Sequence, residues 1–372
     1  VSNAVRLTGD GLVTNTVVVS NGQYVLSTAI AITNPITVRG LSGLPEDVVL
    51  DCNYPVTTNR AFYINHAGAV VAGLTVTNGC GGVSQGGGVI IAQGLLTNCV
   101  ITGCRTLSSF QGGGIYITGG EIQNCAIRGN SNAPTAGGGG IYIKGGLVRD
   151  CSITDNTAGY GGGGIYFEKG ALWNSLIAGN RTVGTEGGGG IYFRNTLTNN
   201  PTLYNCLIVS NYSQAAGGGV YFYSSTTGSV INCTIVSNTA ATYAGGLYFN
   251  KGGWARNVIV CSNFAGSGAS YREINVNGTQ YSFTNCCIGY NPYGATLQGT
   301  NNLLNTHPGY VNLEAGDFHL REDSPCLNAG VDDAWMAGAV DFDGRHRVDV
   351  YRRRVDIGAY EFTHGGTMWS IR

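Results

Sequence analysis

Charge is scarce in this chain of 372 residues: Asp, Glu, Lys and Arg make up 11% of it, and the net charge is −1. Such a surface carries no field to gather nucleic acid or anionic lipid. Histidine is rare too, with five in the whole chain (His66, His307, His319, His346, His364) and no pair at metal-ligand spacing. Long apolar runs are missing; no stretch reaches the roughly 18 residues a membrane-spanning helix needs. Helical periodicity is absent between the strand-like segments, which excludes a βαβ architecture. Disorder is excluded by the other side of the composition, because 43% of residues are hydrophobic and they recur at intervals. The first residue is Val1 rather than methionine and no leader is visible. The expectation is a processed, secreted bacterial chain.

Glycine is abundant, at 61 residues, and it is positional. One phrase recurs: Gly112-Gly113-Gly114-Ile115-Tyr116, then glycine runs ending in Ile141-Tyr142, Ile165-Tyr166, Ile191-Tyr192, Val220-Tyr221 and Leu247-Tyr248. A degenerate copy at Gly86-Gly87-Gly88-Val89-Ile90 precedes them, and the period is 24 to 29 residues. Self-similarity of that length marks a solenoid, in which each repeat buries its apolar face on the next.

Three strand-like pieces fill each repeat: the Gly-Ile-Tyr piece, a short second one such as Leu147-Val148, and an Asn-Cys-x-Ile piece. Cys99, Cys125, Cys151, Cys206 and Cys233 share one position of that third piece, with Ser175 replacing cysteine once. Cys-x-Ile alternation points both side chains to one face, so these thiols read as small core hydrophobes. Of the twelve cysteines, Cys52 with Cys80 is the better disulfide candidate, followed by Cys261 with Cys286 or Cys287. Two asparagine columns frame the third strand. The leading one runs through Asn98, Asn124, Asn174, Asn205, Asn232 and Asn257, with Asp150 inserted. The trailing one runs through Asn130, Asn156, Asn180, Asn211, Asn238 and Asn263. Asparagine tolerates left-handed backbone, and stacked amides bond from coil to coil, so both columns read as structural.

These features resemble the right-handed parallel β-helix of pectin lyases and of many bacterial surface proteins. The glycine–isoleucine–tyrosine phrase, preceded by Asn156-Thr157-Ala158 and Asn238-Thr239-Ala240, is similar to repeats in polymorphic autotransporter adhesin passenger domains. The run from Ser324-Pro325 through Asn328-Ala329-Gly330 to Asp356-Ile357-Gly358-Ala359-Tyr360-Glu361 resembles the end region of choice-of-anchor Q proteins, with Asn328 where that family usually has aspartate. The resemblance implies display on a bacterial surface and no activity. The expected organisation is an entry segment over 1–55, β-helix repeats over 56–299 and a C-terminal cap over 300–372.

Chemistry has few places to sit. With the isoleucines inward, Tyr116, Tyr142, Tyr166, Tyr192, Tyr221 and Tyr248 face outward as a file that is either a ligand surface or a self-stacking column. Two residues on, Lys144, Glu168 and Arg194 form the one charged trio with expected adjacency, a weak catalytic candidate or an alternating-sign ladder. Asp341-x-Asp343-Gly344 looks like the opening of a calcium loop but lacks further ligands, so Ca²⁺ is a weak expectation and no other cofactor is expected. Mixed charges in that region (Arg345, Arg347 and Arg352–Arg354 among Asp341, Asp343, Asp349 and Asp356) read as ion pairs. The expected function is a non-catalytic extracellular protein for adhesion, glycan binding or end-to-end self-assembly, with an extracellular glycan or surface protein as partner. The alternative is a polysaccharide lyase or glycoside hydrolase.

Overall fold

The computed structural model describes residues 15–82, 84–194, 200–223, 228–266, 272–348 and 354–362. Asp349, Arg352 and Arg353 lie outside the described residues. The chain is all β, apart from three short 3₁₀ turns among the described residues. Strands of one coil pair in parallel with the equivalent strands of the next, and the only antiparallel ladder between described strands joins Tyr310–Asn312 to Asp317–Leu320. The Asn-Cys-x-Ile strands, one per coil, form a twelve-stranded parallel sheet. The first and second strands of each coil merge into a twenty-stranded sheet. A fourth, two-residue strand, such as Thr157–Ala158 or Arg181–Thr182, adds a small five-stranded sheet to the three strands expected per coil.

Register follows the repeat. Ile115, Ile141, Ile165, Ile191, Val220 and Leu247 pair successively, and all are fully buried. Two residues later Phe167, Phe193, Phe222 and Phe249 form an inner phenyl column, with centroids 5.2 Å apart for the first pair and 4.2 Å for the second. Each such buried side chain contributes about 1.5–3 kcal/mol, and the contribution depends on the coil above and below being present.

Two turns fix the coil corners. The left-handed positions are Gly138, Gly162, Gly188 and Gly217, at φ 69°, 65°, 76° and 63°. Ala244 adopts the same conformation at φ 52° where the last copy is one glycine short. The leading asparagines and Asp150 are also left-handed, with φ from 44° to 59°. The residue that follows closes this bend: Cys99, Cys125, Cys151, Cys206 and Cys233 each direct Sγ to the carbonyl two residues back at 3.1–3.2 Å, and Ser175 Oγ does so at 2.7 Å. The position therefore calls for a small donor that can be buried, a description cysteine and serine share.

The trailing asparagines run through the interior as a continuous ladder. Asn130, Asn156, Asn180, Asn211 and Asn238 are buried; Oδ1 of each of the last four accepts from the backbone N and Nδ2 of the asparagine one coil earlier at 2.9–3.0 Å, and Asn130 Oδ1 accepts from Cys104 N at 3.0 Å. Asn263 ends the ladder by donating from N and Nδ2 to Glu273 Oε2 at 3.1 and 2.7 Å.

The entry segment itself contains coils, since Asn15–Val19 pairs with Ile36–Gly40 and Gly22–Val25 with Val48–Asp51. Residues just after 300 supply the last rung of the twelve-stranded sheet, where Leu303–Leu304 pairs with Cys287–Ile288. Leu297 completes the core there, with Tyr293 and Leu304 packed against it. From Tyr310 onward the chain doubles back as a strap along the outer face of the twelve-stranded sheet. Tyr310, Phe318, Cys326, Ile357 and Tyr360 pack on Leu207, Val236, Ile259 and Cys287 in a second hydrophobic core. Arg347, fully buried, pins the strap: it pairs with Glu361, and its Nε donates to Asn205 Oδ1 at 2.9 Å. Val331 N donates to Asn257 Oδ1 at 3.0 Å, Asn257 Nδ2 donates to Val331 O at 2.8 Å, and Asn285 Nδ2 donates to Ala329 O at 2.8 Å. The leading asparagine column is thus the docking edge for the strap.

Candidate functional site

On the first strand of each coil the tyrosines point away from the core, as the alternation predicts, yet they do not face water. Tyr142, Tyr166, Tyr192, Tyr221 and Tyr248 are 0–8% exposed; Tyr116, at the N-terminal end of the file, is half-buried. Successive rings stack at 5.2, 4.7, 4.8 and 5.5 Å from Tyr116 to Tyr221, and Tyr248 meets Tyr221 edge-on at 5.0 Å. The turn of the preceding coil covers them: a Cβ on Gly137 would sit 2.2 Å from Tyr166 Cδ2, and one on Gly161 would sit 2.9 Å from Tyr192 Cδ2. Of the two expected readings, the rings form the self-stacking column, and it is buried.

Lys144, Glu168 and Arg194 serve that column. Glu168 Oε1 accepts the Tyr142 hydroxyl at 2.5 Å, Arg194 Nη1 donates to the Tyr166 hydroxyl at 3.4 Å, and the Lys144 ammonium acts electrostatically on the Tyr116 phenol. Burial, with the Glu168 carboxylate beside it, pushes the Tyr142 phenol well above its ordinary range. Among the described residues no ion pair joins Glu168 to Lys144 or Arg194, so the expected alternating-sign ladder is replaced by hydroxyl-to-charge contacts between coils.

The second strand of each coil carries a different outer column. In register it reads Gln123, Arg149, Trp173, Tyr204, Ile231, Arg256 and Thr284. Arg149 pairs with Glu121. Trp173 and Tyr204 stack at 4.0 Å, and Trp335 of the strap meets both edge-on at 5.2 and 4.9 Å. Beside this aromatic group the strap and the sheet enclose a cleft of about 720 Å³, lined by Ser229, Trp254, Arg256, Ser282, Thr284, Asn285 and Val331 among others. Trp254 is 50% exposed on the strand Gly252–Arg256. Arg256 Nη2 lies 3.2 Å from Asp333 Oδ2, and Asp333 Oδ1 accepts from Ala334 N at 2.8 Å to cap the 3₁₀ turn Ala334–Met336. The volume falls within the roughly 300–1,000 Å³ of ligand sites. An exposed indole, hydroxyls and amides, and one ion pair make a surface able to stack and hydrogen-bond a polyhydroxylated ligand.

Other expected sites resolve differently. Asp341 is buried, and its carboxylate is occupied by backbone donors: Oδ1 accepts from Asp343 N and Arg345 N at 2.9 and 2.8 Å, and Oδ2 from Glu361 N at 2.7 Å. Asp343 turns away to His319 Nε2 at 2.6 Å and Arg345 at 3.6 Å. The two carboxylates therefore face different partners. Among the described residues no cluster of three His, Cys, Asp or Glu is placed to hold a metal ion. Cys52 and Cys80, expected as a disulfide, are free and buried, as are Cys261, Cys286 and Cys287. Burial pushes the Cys104 and Cys286 thiols up to about 12, and it also holds the ladder thiols of Cys125, Cys151 and Cys206 well above the ordinary thiol range.

The family model for the right-handed β-helix region matches residues 49–196 and 91–265, more than half of the chain. The chain belongs to the right-handed β-helix family. Among solved structures this β-helix is similar to pectate lyase Pel9A, with a TM-score of 0.54 at 14% identity over 97% of this chain and 90% of the other. A second similarity, to a mutant of the alginate lyase AlyGC, has a TM-score of 0.29 at 12% identity over 74% of this chain and 52% of the other. The first likeness is one of fold, and the second carries no argument. No curated protein matches the sequence.

Sequence reasoning missed the cleft of this β-helix. Half of its signal was present: Trp173, Tyr204 and Arg256 each precede a leading asparagine, so they share one repeat position. Asp333 and Trp335 lie in the strap, outside the period, and nothing local places them opposite that column.

Proposed function

We propose that this chain is a non-catalytic, extracellular bacterial β-helix that binds a glycan in the cleft between strap and solenoid. The observation that carries this reading is the half-exposed Trp254 beside the Arg256–Asp333 ion pair, set among serine, threonine and asparagine side chains. Sugar rings present apolar C–H faces to aromatic rings and hydroxyls to planar polar groups, and the cleft offers both. The alternative, a lyase or glycosidase, draws on the fold likeness to Pel9A, but the charged candidates Glu168 and Arg194 are bonded to tyrosine hydroxyls, and they and Lys144 lie outside this cleft. Location at a cell surface belongs to the same proposal, as does any adhesive role.

Retention on immobilised polysaccharides, with product detection in the same samples, tests it. The expected result is retention that Trp254→Ala abolishes, with no new reducing ends or unsaturated products. Turnover lost on Glu168→Gln or Lys144→Ala, with Trp254→Ala active, would establish the enzyme alternative instead.

A further inference from the structure

We infer that the cleft is built for a neutral glycan and discriminates against acidic polymers such as polyuronates; this rests on the glycan-binding reading. The decisive feature is the electrostatic balance of the site. Arg256 is the one charged side chain lining the cleft among the described residues, and Asp333 neutralises it at 3.2 Å. Its other oxygen accepts from Ala334 N at 2.8 Å, which favours this orientation of the carboxylate. A ligand carboxylate approaching Arg256 would therefore meet the Asp333 carboxylate, and it would have to displace that partner or share the guanidinium with a like charge. The hydroxyl of a neutral sugar has no such conflict. It can donate to Asp333 and accept from the guanidinium N–H groups that remain.

The floor has the same character. Ser229, Trp254 and Ser282 are register partners on three successive coils, so a hydroxyl flanks the indole on each side at a coil spacing of about 4.8 Å. Thr284 lies next to Arg256 in the neighbouring row, and Asn285 follows it. All are groups that pair with sugar hydroxyls and none carries charge. Tyr204 lies two coils from Arg256 in the same column and leads, with Trp173 and Trp335, into a second aromatic surface. A linear chain lying along the solenoid axis would thus run from one aromatic platform to the other over a neutral floor. Net charge of −1 over the whole chain supplies no long-range attraction for a polyanion.

Calorimetric titration of the intact chain with neutral gluco-, manno-, galacto- and xylo-oligosaccharides, beside oligogalacturonate and oligoalginate at low and high salt, tests this. At least one neutral series should bind on the order of tenfold more tightly than either acidic one, with little salt dependence. Trp254→Ala should weaken it on the order of tenfold or more, while Glu121→Gln, outside the cleft, leaves it unchanged; circular dichroism checks that both variants keep their strands. Asp333→Asn should let acidic oligomers gain affinity in a salt-sensitive way. Tighter binding of the acidic oligomers by the unmodified chain would overturn the neutral-ligand inference while leaving glycan binding intact. Binding of neither class would overturn both.

Discussion

Asn180 offers the sharpest test of what holds the coils in line. It is fully buried and its side chain makes four hydrogen bonds: Oδ1 accepts from Asn156 N and Nδ2, both at 3.0 Å, and Nδ2 donates to Ile153 O at 2.8 Å and Asn211 Oδ1 at 3.0 Å. Asn180→Ala removes all four. Asn156 Nδ2 keeps Ile127 O and Asn211 Oδ1 keeps Asn180 N, but the Asn156 N–H loses its acceptor inside the core. One stranded buried donor costs about 1–3 kcal/mol and each weakened bond about 0.5–1.5 kcal/mol, so the variant should lose about 3–5 kcal/mol. Asn180→Asp adds a diagnostic. Its ionised carboxylate would face two acceptors, Ile153 O and Asn211 Oδ1, so burial and repulsion raise its pKa in the fold. A raised folded pKa gives stability that is present below the unfolded value of about 3.9 and lost as pH rises through the folded value. Denaturant unfolding followed by circular dichroism reads both variants, and Asn124→Gly is the control, since it keeps a left-handed position that glycine accepts. A loss below about 1 kcal/mol for Asn180→Ala, the scale of a surface substitution, would refute the ladder as a major stabilising element.

Gly137→Ala should cost about 1–3 kcal/mol, because its Cβ would lie 2.2 Å from Tyr166 Cδ2; pairing it with Tyr166→Leu in a thermal-melt double-mutant cycle should recover much of that loss. Arg347→Met leaves Glu361 buried without its guanidinium, at about 3–5 kcal/mol, and limited proteolysis should then cut within 305–362 while the solenoid's circular dichroism is retained. His319 sits between Asp317 Oδ1 at 2.5 Å and Asp343 Oδ2 at 2.6 Å. Burial alone would lower its pKa, but the two carboxylates outweigh it and hold His319 above 6.5, while the His319 hydrogen bond holds Asp317 below 3.8. The stabilisation from His319 is complete below about pH 6.5 and fades as pH rises through the raised value; that from Asp317 is complete above about pH 3.8 and fades as pH falls through the lowered one. The difference in melting temperature between the unmodified chain and His319→Gln should therefore be largest between about pH 4 and 6.5 and shrink on either side.

The sequence by itself determined the solenoid, its parallel register and the membership of its inner columns. The reason is that each coil contacts its neighbours through equivalent residues, so the spatial contact and the sequence period are one signal. Ile141 meets Ile165 and Asn156 meets Asn180 because they hold the same place in the repeat. The outward direction of the tyrosines was legible for the same reason. Their burial was not, because it depends on how closely a glycine turn of one coil approaches a ring of the next, as Gly137 approaches Tyr166. The strap was legible only as a change of composition. Its docking rests on contacts such as Arg347 with Asn205 and Val331 with Asn257, separated by 142 and 74 residues and belonging to no period. The cleft inherits that limit. Trp254 and Arg256 follow from the repeat, but the Asp333 carboxylate that makes their surface neutral arrives only when the strap folds back, and tertiary packing alone sets where it lands.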